Sequence, residues 1–139
     1  MSYAAAVALQ SAVYQLLRED DALQHLVGDA IFDAQPVSGT VGPYVVLGNE
    51  DSRDAGDMTG AGSSHDFTVS VLSGAEGAQG FGQVKLAAEA ISAALDQPAV
   101  TLSRGHLVGM WLLRARARRI EKGSGRRVDL TFRARIDLG

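Results

Sequence analysis

Residues 126–138 read Arg126-Arg-Val-Asp-Leu-Thr-Phe-Arg-Ala-Arg-Ile-Asp-Leu138. From Val128 onward, an apolar residue alternates with a polar one at every step. A two-residue period is typical of a β-strand with one buried and one solvated face, whereas a helix repeats every ~3.6 residues. This stretch therefore predicts a long strand, and helix is excluded here.

The preceding stretch, residues 106–120, ends in a similar alternation. Leu113, Ala115 and Ala117 alternate with arginines, and residues 122–125 contain two glycines. A short glycine-containing connection between two alternating runs is typical of a β-hairpin. The two stretches together predict a long C-terminal hairpin.

The register of this hairpin follows from placing Glu121 opposite Arg126. One face then pairs small with large apolar residues, namely Ala117 with Leu130, Ala115 with Phe132, Leu113 with Ala134 and Trp111 with Ile136. On the other face Arg118 lies opposite Asp129, and Arg114 lies opposite Arg133. Because like charges directly opposed are unfavourable, we expect an acidic side chain over that arginine pair.

The composition fits a globular protein: 46% of the 139 residues are hydrophobic and 21% are charged. This length predicts a single domain spanning residues 1–139. The absence of cysteine excludes disulfides and thiolate chemistry. The first residues lack the pattern of a signal peptide, and no apolar run approaches a membrane span. We therefore expect a product made in the cytoplasm, with no membrane partner.

Charge is distributed unevenly along the chain. Residues 1–100 contain three basic and thirteen acidic side chains, a net charge of −10, whereas residues 101–139 contain ten basic and three acidic ones, a net charge of +7. Such a bipolar chain suits head-to-tail self-association or an acidic partner better than general binding of polyanions.

The rest of the chain predicts helices alternating with short strands. We expect a helix capped by Ser2 and running to about Glu19, a second capped by Asp20 or Asp21 and ending at Gly28, and a third over about residues 79–95. We expect strands at residues 31–32, 44–47, 66–71 and 100–102. The fold class predicted is α+β: a mostly antiparallel sheet of about five strands with a long C-terminal hairpin, and helices packed on one face.

Residues 48–64 contain Glu50, Asp51, Asp54 and Asp57 among four glycines. This composition predicts a mobile acidic loop. The residue order of a calcium-binding loop is absent, so no metal is expected. The glycine-rich residues 74–82 likewise match no nucleotide-binding fingerprint, and no cofactor is expected.

No arrangement of catalytic residues is evident. The three histidines, His25, His65 and His106, lack the spacing of a zinc helix. Ser64, His65 and Asp66 are adjacent, but neighbours on a strand point to opposite faces and cannot form a relay. The sequence therefore predicts that the protein is not an enzyme.

Five arginines share the polar face of the predicted hairpin: Arg114, Arg116, Arg118, Arg133 and Arg135. Such a ribbon could contact nucleic-acid phosphates. Against this, the predicted register puts Trp111 and Phe132 on the core side, where they cannot stack on bases. A solvated charged face is the simpler interpretation.

The order of the segments resembles the tail-completion, or tail-terminator, proteins of long non-contractile-tailed phages and of gene transfer agents. The matching stretches are Leu16-Leu17, Asp21-Ala22-Leu23, Leu26-Val27-Gly28, Ile31-Phe32, Pro43-Tyr44-Val45-Val46-Leu47, His65-Asp66-Phe67-Thr68-Val69, Ala93-Ala94-Leu95, His106-Leu107-Val108 and Phe132-Arg133-Ala134-Arg135. They cover nearly the whole chain.

The resemblance implies a structural virion protein at the head-proximal end of the tail. Such proteins form a ring, hexameric by this resemblance, that caps the tail tube and stops its polymerisation. The ring's partners are the tail tube protein and the head-tail connector or head-closure protein, and DNA passes through its channel. Alternatives are another head-tail joining or minor tail protein, and a basic β-ribbon that binds nucleic acid.

The uneven charge suggests how such a ring could close. We hypothesise that Glu50, Asp51, Asp54 or Asp57 lies near Arg114, Arg116, Arg118, Arg133 or Arg135 of the neighbouring ring member. An alternative places the acidic loop along the channel, where its charge would repel DNA. The sequence leaves both arrangements open.

Overall fold

The structure is a computed structural model that describes residues 3–34, 40–74, 81–120 and 125–139. These residues form a five-stranded sheet and three helices. The helices are α1 (Ala6–Glu19), α2 (Asp21–Val27) and α3 (Gly82–Ala94), and the strands are β1 (Ile31–Phe32), β2 (Tyr44–Asp54), β3 (Gly62–Leu72), β4 (His106–Arg119) and β5 (Arg126–Asp137).

The strand order across the sheet is β1-β2-β3-β5-β4. β1 is parallel to β2, and the other three pairs are antiparallel. The last two strands form the long hairpin. The predicted α+β class with a mostly antiparallel sheet is confirmed.

The hydrophobic core lies between the helices and one face of the sheet. β3 contributes alternate residues such as Val69 and Val71, and β5 contributes Leu130 and Phe132, all essentially buried. The helices contribute the remaining large side chains, among them Leu9, Leu17, Leu23 and Ile91. Burying each such side chain contributes about 1.5–3 kcal/mol, which is why the helices gather on this face.

The helix signals at residues 20–28 are confirmed. The Asp20 carboxylate accepts a hydrogen bond from the Leu23 N–H at 3.0 Å and so caps α2. Gly28 ends α2 with φ of 59°, a value that favours glycine. Ser2, predicted to cap α1, lies outside the described residues, and α1 begins after Ala5 without a side-chain cap.

The third predicted helix is also present and directs an apolar stripe toward the core. Val84, Ala88, Ile91 and Leu95 are buried, and Phe81 packs partly against the core. α3 begins at Gly82, whereas residues 79 and 80 of the predicted helix lie outside the described residues. No helix among the described residues is long and apolar enough to cross a membrane.

The predicted mobile loop over residues 48–64 is wrong. β2 continues to Asp54 and β3 begins at Gly62, so only residues 55–61 connect them. Composition misled because the polar side chains here bind one another: Glu50 contacts His65, and Arg53 lies 3.7 Å from Asp66. Backbone pairing with β3 then orders the segment.

The predicted hairpin register is also wrong. Ala117 lies opposite Val128 and Ala115 opposite Leu130, two residues from the expected partners. The hydrogen bond from the Ile120 N–H to the Gly125 carbonyl closes the hairpin at 2.9 Å. Glu121, the residue that anchored the prediction, lies outside the described residues.

Two bulges in β4 change which side chains face the core. The register shifts between Leu107 and Gly109, and again between Leu112 and Arg114, so Val108 and Leu113 have no partner on β5. Each extra residue reverses the alternation. Trp111 therefore lies opposite Arg133 on the polar face, not on the core face as predicted.

The strand predicted at residues 100–102 is absent from the described residues. Leu102 is buried, yet residues 98–102 adopt no regular structure. The edge of β4 is instead met by Gln97, whose side-chain oxygen accepts a hydrogen bond from the Met110 N–H at 3.2 Å. The Gln97 N–H donates to the Met110 carbonyl at 2.9 Å.

Candidate assembly surfaces

The face of the sheet opposite the helices is polar, and we call it the outer face. Its side chains come from alternate positions of the four long strands. They include Val46, Asp51 and Arg53 of β2, Ser64, Asp66, Thr68 and Ser70 of β3, Arg127, Asp129, Thr131, Arg133 and Arg135 of β5, and Trp111, Arg114, Arg116 and Arg118 of β4. At one end of this face lie the buried side chains of Tyr44 and Leu72.

Asp66 and Arg133 form a two-point ion pair on this face. Arg133 Nε donates to Asp66 Oδ1 at 2.7 Å, and Arg133 Nη2 donates to Asp66 Oδ2 at 2.9 Å. The Arg133 hydrogen bonds lower the pKa of Asp66, although partial burial opposes them. Asp66 thus lies over Arg133, but the predicted opposition of Arg114 and Arg133 is wrong, because Arg114 lies opposite Thr131 and Arg133 opposite Trp111. Arg133 is already paired within its own chain.

Asp129 holds two further arginines. Its Oδ1 accepts from Arg127 Nε at 3.0 Å and from the Ser70 hydroxyl at 2.6 Å, and its Oδ2 accepts from Arg118 Nε at 3.3 Å. Burial alone would raise the pKa of Asp129, but the Ser70 and Arg127 hydrogen bonds outweigh it and the net shift is downward. The predicted position of Arg118 opposite Asp129 is wrong, because Arg116 lies opposite Asp129 and Arg118 lies opposite Arg127. Arg118 reaches Asp129 diagonally through its side chain.

Arg114 and Arg116 are exposed and form no ion pair or hydrogen bond with any described residue. They border a shallow groove on the outer face that is also lined by Asn49, Thr68 and Thr131. Two unpaired positive charges beside polar uncharged groups can accept a partner's carboxylates or phosphates without first breaking an internal ion pair. We call Arg114 and Arg116, with Arg118 beside them, the arginine row.

The turn between β2 and β3 carries fixed acidic groups. Asp57 Oδ1 accepts hydrogen bonds from the Thr59 N–H and hydroxyl, both at 2.8 Å, and from the Gly60 N–H at 3.0 Å. The Thr59 hydrogen bonds lower the pKa of Asp57. The Asp54 carboxylate accepts from the Gly56 N–H at 3.1 Å, and Met58 at the apex is fully exposed.

Within one chain, the arginine row and this acidic turn lie at opposite corners of the sheet. Arg116 occupies the same row across the sheet as Val46, near the start of β2, whereas Asp54 ends β2. The basic residue beside the turn is Arg135, whose Nη2 donates to the Ala55 carbonyl at 3.4 Å. The predicted contact with Arg114 or Arg116 can therefore form only between copies.

Glu50 belongs to an internal network. Its Oε1 lies 2.6 Å from Nδ1 of the fully buried His65, and the Ser52 hydroxyl donates to the same oxygen at 3.2 Å. Nε2 of His65 lies 2.8 Å from the buried Ser63 hydroxyl. Of the four predicted acids, Glu50 thus serves the fold, and Asp51, Asp54 and Asp57 remain at the surface.

The hydrogen bonds Ser63–His65 and His65–Glu50 connect a serine, a histidine and a carboxylate in the same order as a catalytic triad. The side chains of Ser63 and His65 are 0% exposed, so a substrate cannot reach them. Among the described residues no group of three or more His, Cys, Asp or Glu is arranged to hold a metal. The geometry points to internal pairing within the fold.

A family model described as "Tail completion protein gp17" matches residues 11–137. The chain belongs to this tail completion protein family. A search of curated protein sequences gave no significant match.

The family assignment agrees with a solved structure. A chain from the structure titled "Virion of native gene transfer agent (GTA) particle" is 55% identical to this one, with a TM-score of 0.88. The match covers 98% of this tail completion family member and 99% of that chain. The sequence resemblance to tail-completion proteins of phages and gene transfer agents is confirmed.

Three contacts of this family member were missed by the sequence prediction: those of Ser63 and Glu50 with His65, and that of Gln97 with Met110. Ser63 could have been linked to His65, because residues two apart on a strand share a face. Glu50 could not, because a bulge between Leu47 and Glu50 sets its face. Gln97 gave no signal, since its contact with Met110 depends on a left-handed φ of 45° after α3.

Proposed function

We propose that this protein caps the tail tube of a phage-like particle as a ring, stops tube polymerisation and provides the surface to which the head attaches. It acts as a structural protein, not as an enzyme. The family match over residues 11–137 and the 55% identity to a chain of a gene transfer agent virion support a tail role. The proposed ring has six subunits and lies at the head-proximal end of the tail.

The observation that carries the ring proposal is the separation of charge across one sheet. The arginine row and the acidic turn are different surfaces at opposite corners of the same molecule. Two complementary surfaces on one chain produce a head-to-tail interface, which closes into a ring when the rotation between copies allows it. Asp51, Asp54 and Asp57 of one copy would meet the arginine row of the next.

In this proposal the two rims of the ring contact the tail tube protein and the head-tail connector or head-closure protein. DNA passes through the channel without being read. The alternative location for the acidic turn is the channel wall, where like charge would keep DNA from adhering.

Electron microscopy of particles from cells lacking the gene tests this function. We expect overlong tubes and detached heads, because nothing would end tube growth or join the head. Tails of normal length on attached heads would contradict the proposal. Tails of normal length that lack heads would favour a different head-tail joining or minor tail protein.

The charge hypothesis has its own test. The Arg114→Glu/Arg116→Glu variant should fold normally but fail to join heads to tails, because both arginines lack partners within the described chain. Arg104→Glu is the matched control, since Arg104 is exposed on the loop before β4 and outside the sheet. Normal particles from the double variant would exclude the arginine row as an interface.

A second candidate function is nucleic-acid binding by the β4–β5 ribbon. The observation that favours it is the position of Trp111, which shares the outer face with Arg114 and Arg116 and could stack on a base. Titration of the wild-type protein with duplex and single-stranded DNA at several salt concentrations tests it. Binding that weakens steeply with salt would support this function, and no binding at low salt would exclude it.

A further inference from the structure

The edge strand β4 is open over its second half. Gln97 covers its edge at Met110 through two hydrogen bonds. Past Met110, no described residue forms a hydrogen bond with the outward backbone groups of residues 112–119. Leu112 and Leu113 are 40% and 41% exposed, and Ala115 and Ala117 are exposed as well, so the helices do not cover this half of the strand.

Along β4, residues whose backbone groups bond to β5 alternate with residues whose backbone groups point away from the sheet. The Ile120 N–H donates to Gly125, so residue 120 faces β5, and in a regular antiparallel strand residues 118, 116 and 114 do the same. Ala115, Ala117 and Arg119 therefore direct their N–H and C=O groups away from the sheet. An edge of this kind is a template for another strand.

A second open edge lies at the other side of the sheet. β1 pairs with β2 only at Val45 and Val46. The Ala55 N–H donates to the Gly62 carbonyl at 3.0 Å, so residue 55 faces β3, and Glu50, Ser52 and Asp54 direct their backbone groups outward. In the part of the chain that the structure describes, no hydrogen bond covers these groups.

The two open edges are complementary in charge. Residues 48–54 contain three acidic side chains and one basic one, whereas residues 112–119 contain four arginines and no acid. Pairing of β4 with another β4 would oppose arginine to arginine, which is unfavourable. Pairing of β4 with β2 brings opposite charges together.

The two edges also agree in direction. β2, β3, β5 and β4 alternate in direction across the sheet, so β4 runs opposite to β2. When copies keep the same orientation around a ring, β4 of one copy beside β2 of the next continues the antiparallel alternation. No reorientation of either strand is needed.

We propose that residues 112–119 of β4 pair antiparallel with residues 48–54 of β2 in a second copy of this chain, so that the sheet continues from one subunit to the next. This inference rests on the proposed ring and specifies its interface. Centring the two open segments on each other puts Asp51 opposite Arg116. The outward N–H and C=O groups of β4 can bond only to outward N–H and C=O groups of β2, so the register can shift only in steps of two residues. In each such register Asp51 lies opposite Arg114, Arg116 or Arg118.

The displacement of neighbouring copies along their strands is compatible with closure of the sheet into a ring. Arg116 lies in the row of Val46 within its own sheet, so contact with Asp51 of the neighbour displaces one copy by four residues along β3, from the row of Ser70 to the row of Asp66. The bulge between Leu47 and Glu50 accounts for the fifth residue of β2. Spread over four strands, this is about one residue per strand, the stagger at which closed barrels tilt by about 36°. Arg53, which would lie opposite Arg114, stays paired with Asp66.

Disulfide crosslinking tests the register, because the chain has no cysteine of its own. In the Asp51→Cys/Arg116→Cys variant the two positions of one copy are separated by β3 and β5. That spacing of roughly 14 Å is too great for an internal disulfide. We expect mild oxidation of assembled particles to give a ladder of linked copies on non-reducing gels. The matched control is Asp51→Cys/Ala117→Cys, whose side chains point to opposite faces and should crosslink at least tenfold less.

Proline substitution tests the backbone pairing. Ala117→Pro removes an outward N–H without removing a bond to β5, so the monomer should fold and ring formation should be lost. Ala117→Val keeps the N–H and should assemble normally. If Ala117→Pro fails to fold, the crosslinking experiment decides alone.

Failure of this inference can be distinguished from failure of the proposed function. Assembled particles with capped tails but no crosslink at Asp51 and Arg116, nor with Cys at Arg114 or Arg118 instead, would overturn edge pairing and leave the capping function intact. Normal tails in cells lacking the gene would overturn the capping function. A crosslinked ladder in purified protein would still establish pairing between copies.

Discussion

Nδ1 of His65 lies 2.6 Å from Oε1 of Glu50, and both side chains are on the face of the sheet that the helices cover. The imidazole is fully buried, and its other nitrogen contacts the Ser63 hydroxyl at 2.8 Å. A polar group buried in this way is tolerated only because each of its atoms has a partner.

Removal of this imidazole should destabilise the protein strongly. His65→Ala leaves a cavity and deprives Glu50 and Ser63 of their partner, so we expect a loss of about 2–4 kcal/mol in the free energy of unfolding. Urea denaturation followed by circular dichroism measures it. His106→Ala is the control, since His106 is exposed at the start of β4 and should change stability by less than about 0.5 kcal/mol. Equal stability of the two variants would contradict a role for His65 in the core.

Acid should destabilise the protein through the outer-face carboxylates. The Arg133 hydrogen bonds lower the pKa of Asp66 below its ordinary value of 3.8, and the net shift of Asp129 has the same direction. Since a lowered folded-state pKa means that the unfolded chain binds the proton more readily, this stabilisation is complete above the ordinary value. It is lost as the pH falls through the folded-state value.

We therefore expect the urea midpoint to be steady near pH 7 and to drop below about pH 4. Asp66→Asn should be less stable than wild type at pH 7 and should show a shallower drop in acid. Asp96→Asn, at an exposed position after α3 without an ion pair to a described residue, should follow the wild-type curve. A wild-type slope in Asp66→Asn would show that this ion pair does not contribute.

Two glycines should respond in opposite ways to alanine. Gly74 has φ of 79°, and a Cβ there would overlap the Gly42 carbonyl oxygen, so Gly74→Ala should destabilise by more than about 2 kcal/mol. Gly82 begins α3, and a Cβ there would meet no other described part of the chain within 4 Å, so Gly82→Ala should stabilise by roughly 0.5–1 kcal/mol. Thermal unfolding of both variants checks this, and a tolerated Gly74→Ala would contradict the close approach to Gly42.

Trp111 provides a signal for assembly. It is the single tryptophan of the chain and lies half-buried on the outer face, next to the open part of β4. If a second copy covers that edge, its emission maximum should move to shorter wavelength and acrylamide should quench it less. The Arg114→Glu/Arg116→Glu variant should retain the monomer spectrum at the same concentration. Assembled rings with an unchanged spectrum would place the interface elsewhere.

Some parts of this fold could be predicted from local pattern and others could not. The strict alternation of residues 128–138 predicted β5, and Asp20 with Gly28 predicted the limits of α2, because each signal acts over a few neighbouring residues. The face of Trp111 depended on the bulge at Leu113, which no alternation reveals. The strand structure of residues 48–54 depends on contacts with His65 and Asp66, which are distant in sequence.

The candidate site divides in the same way. The arginines could be predicted from composition, and their shared face from the alternation of β5. Which of them are free could not, because Arg133 is bound by Asp66 and Arg118 by Asp129, contacts between strands whose register was unknown. The sequence could not separate Glu50 from Asp51 either, although one belongs to the core network and the other to the surface.

The bulge at Leu113 divides β4 into two halves whose orientation is set separately. Met110 and Gln97 hold the first half, and the pairing of residues 114–119 with β5 holds the second. Leu112 and Arg114 lie opposite Phe132 and Thr131, which are neighbours on β5, so Leu113 is the extra residue that separates the two faces. If Leu113 paired with β5 as an ordinary strand residue, either Met110 would leave the core or Arg114, Arg116 and Arg118 would turn beneath the sheet. Deleting Leu113, in contrast, would join Leu112 directly to Arg114 and keep both faces. One unpaired residue thus controls whether this molecule presents its positive charge to a neighbour or conceals it.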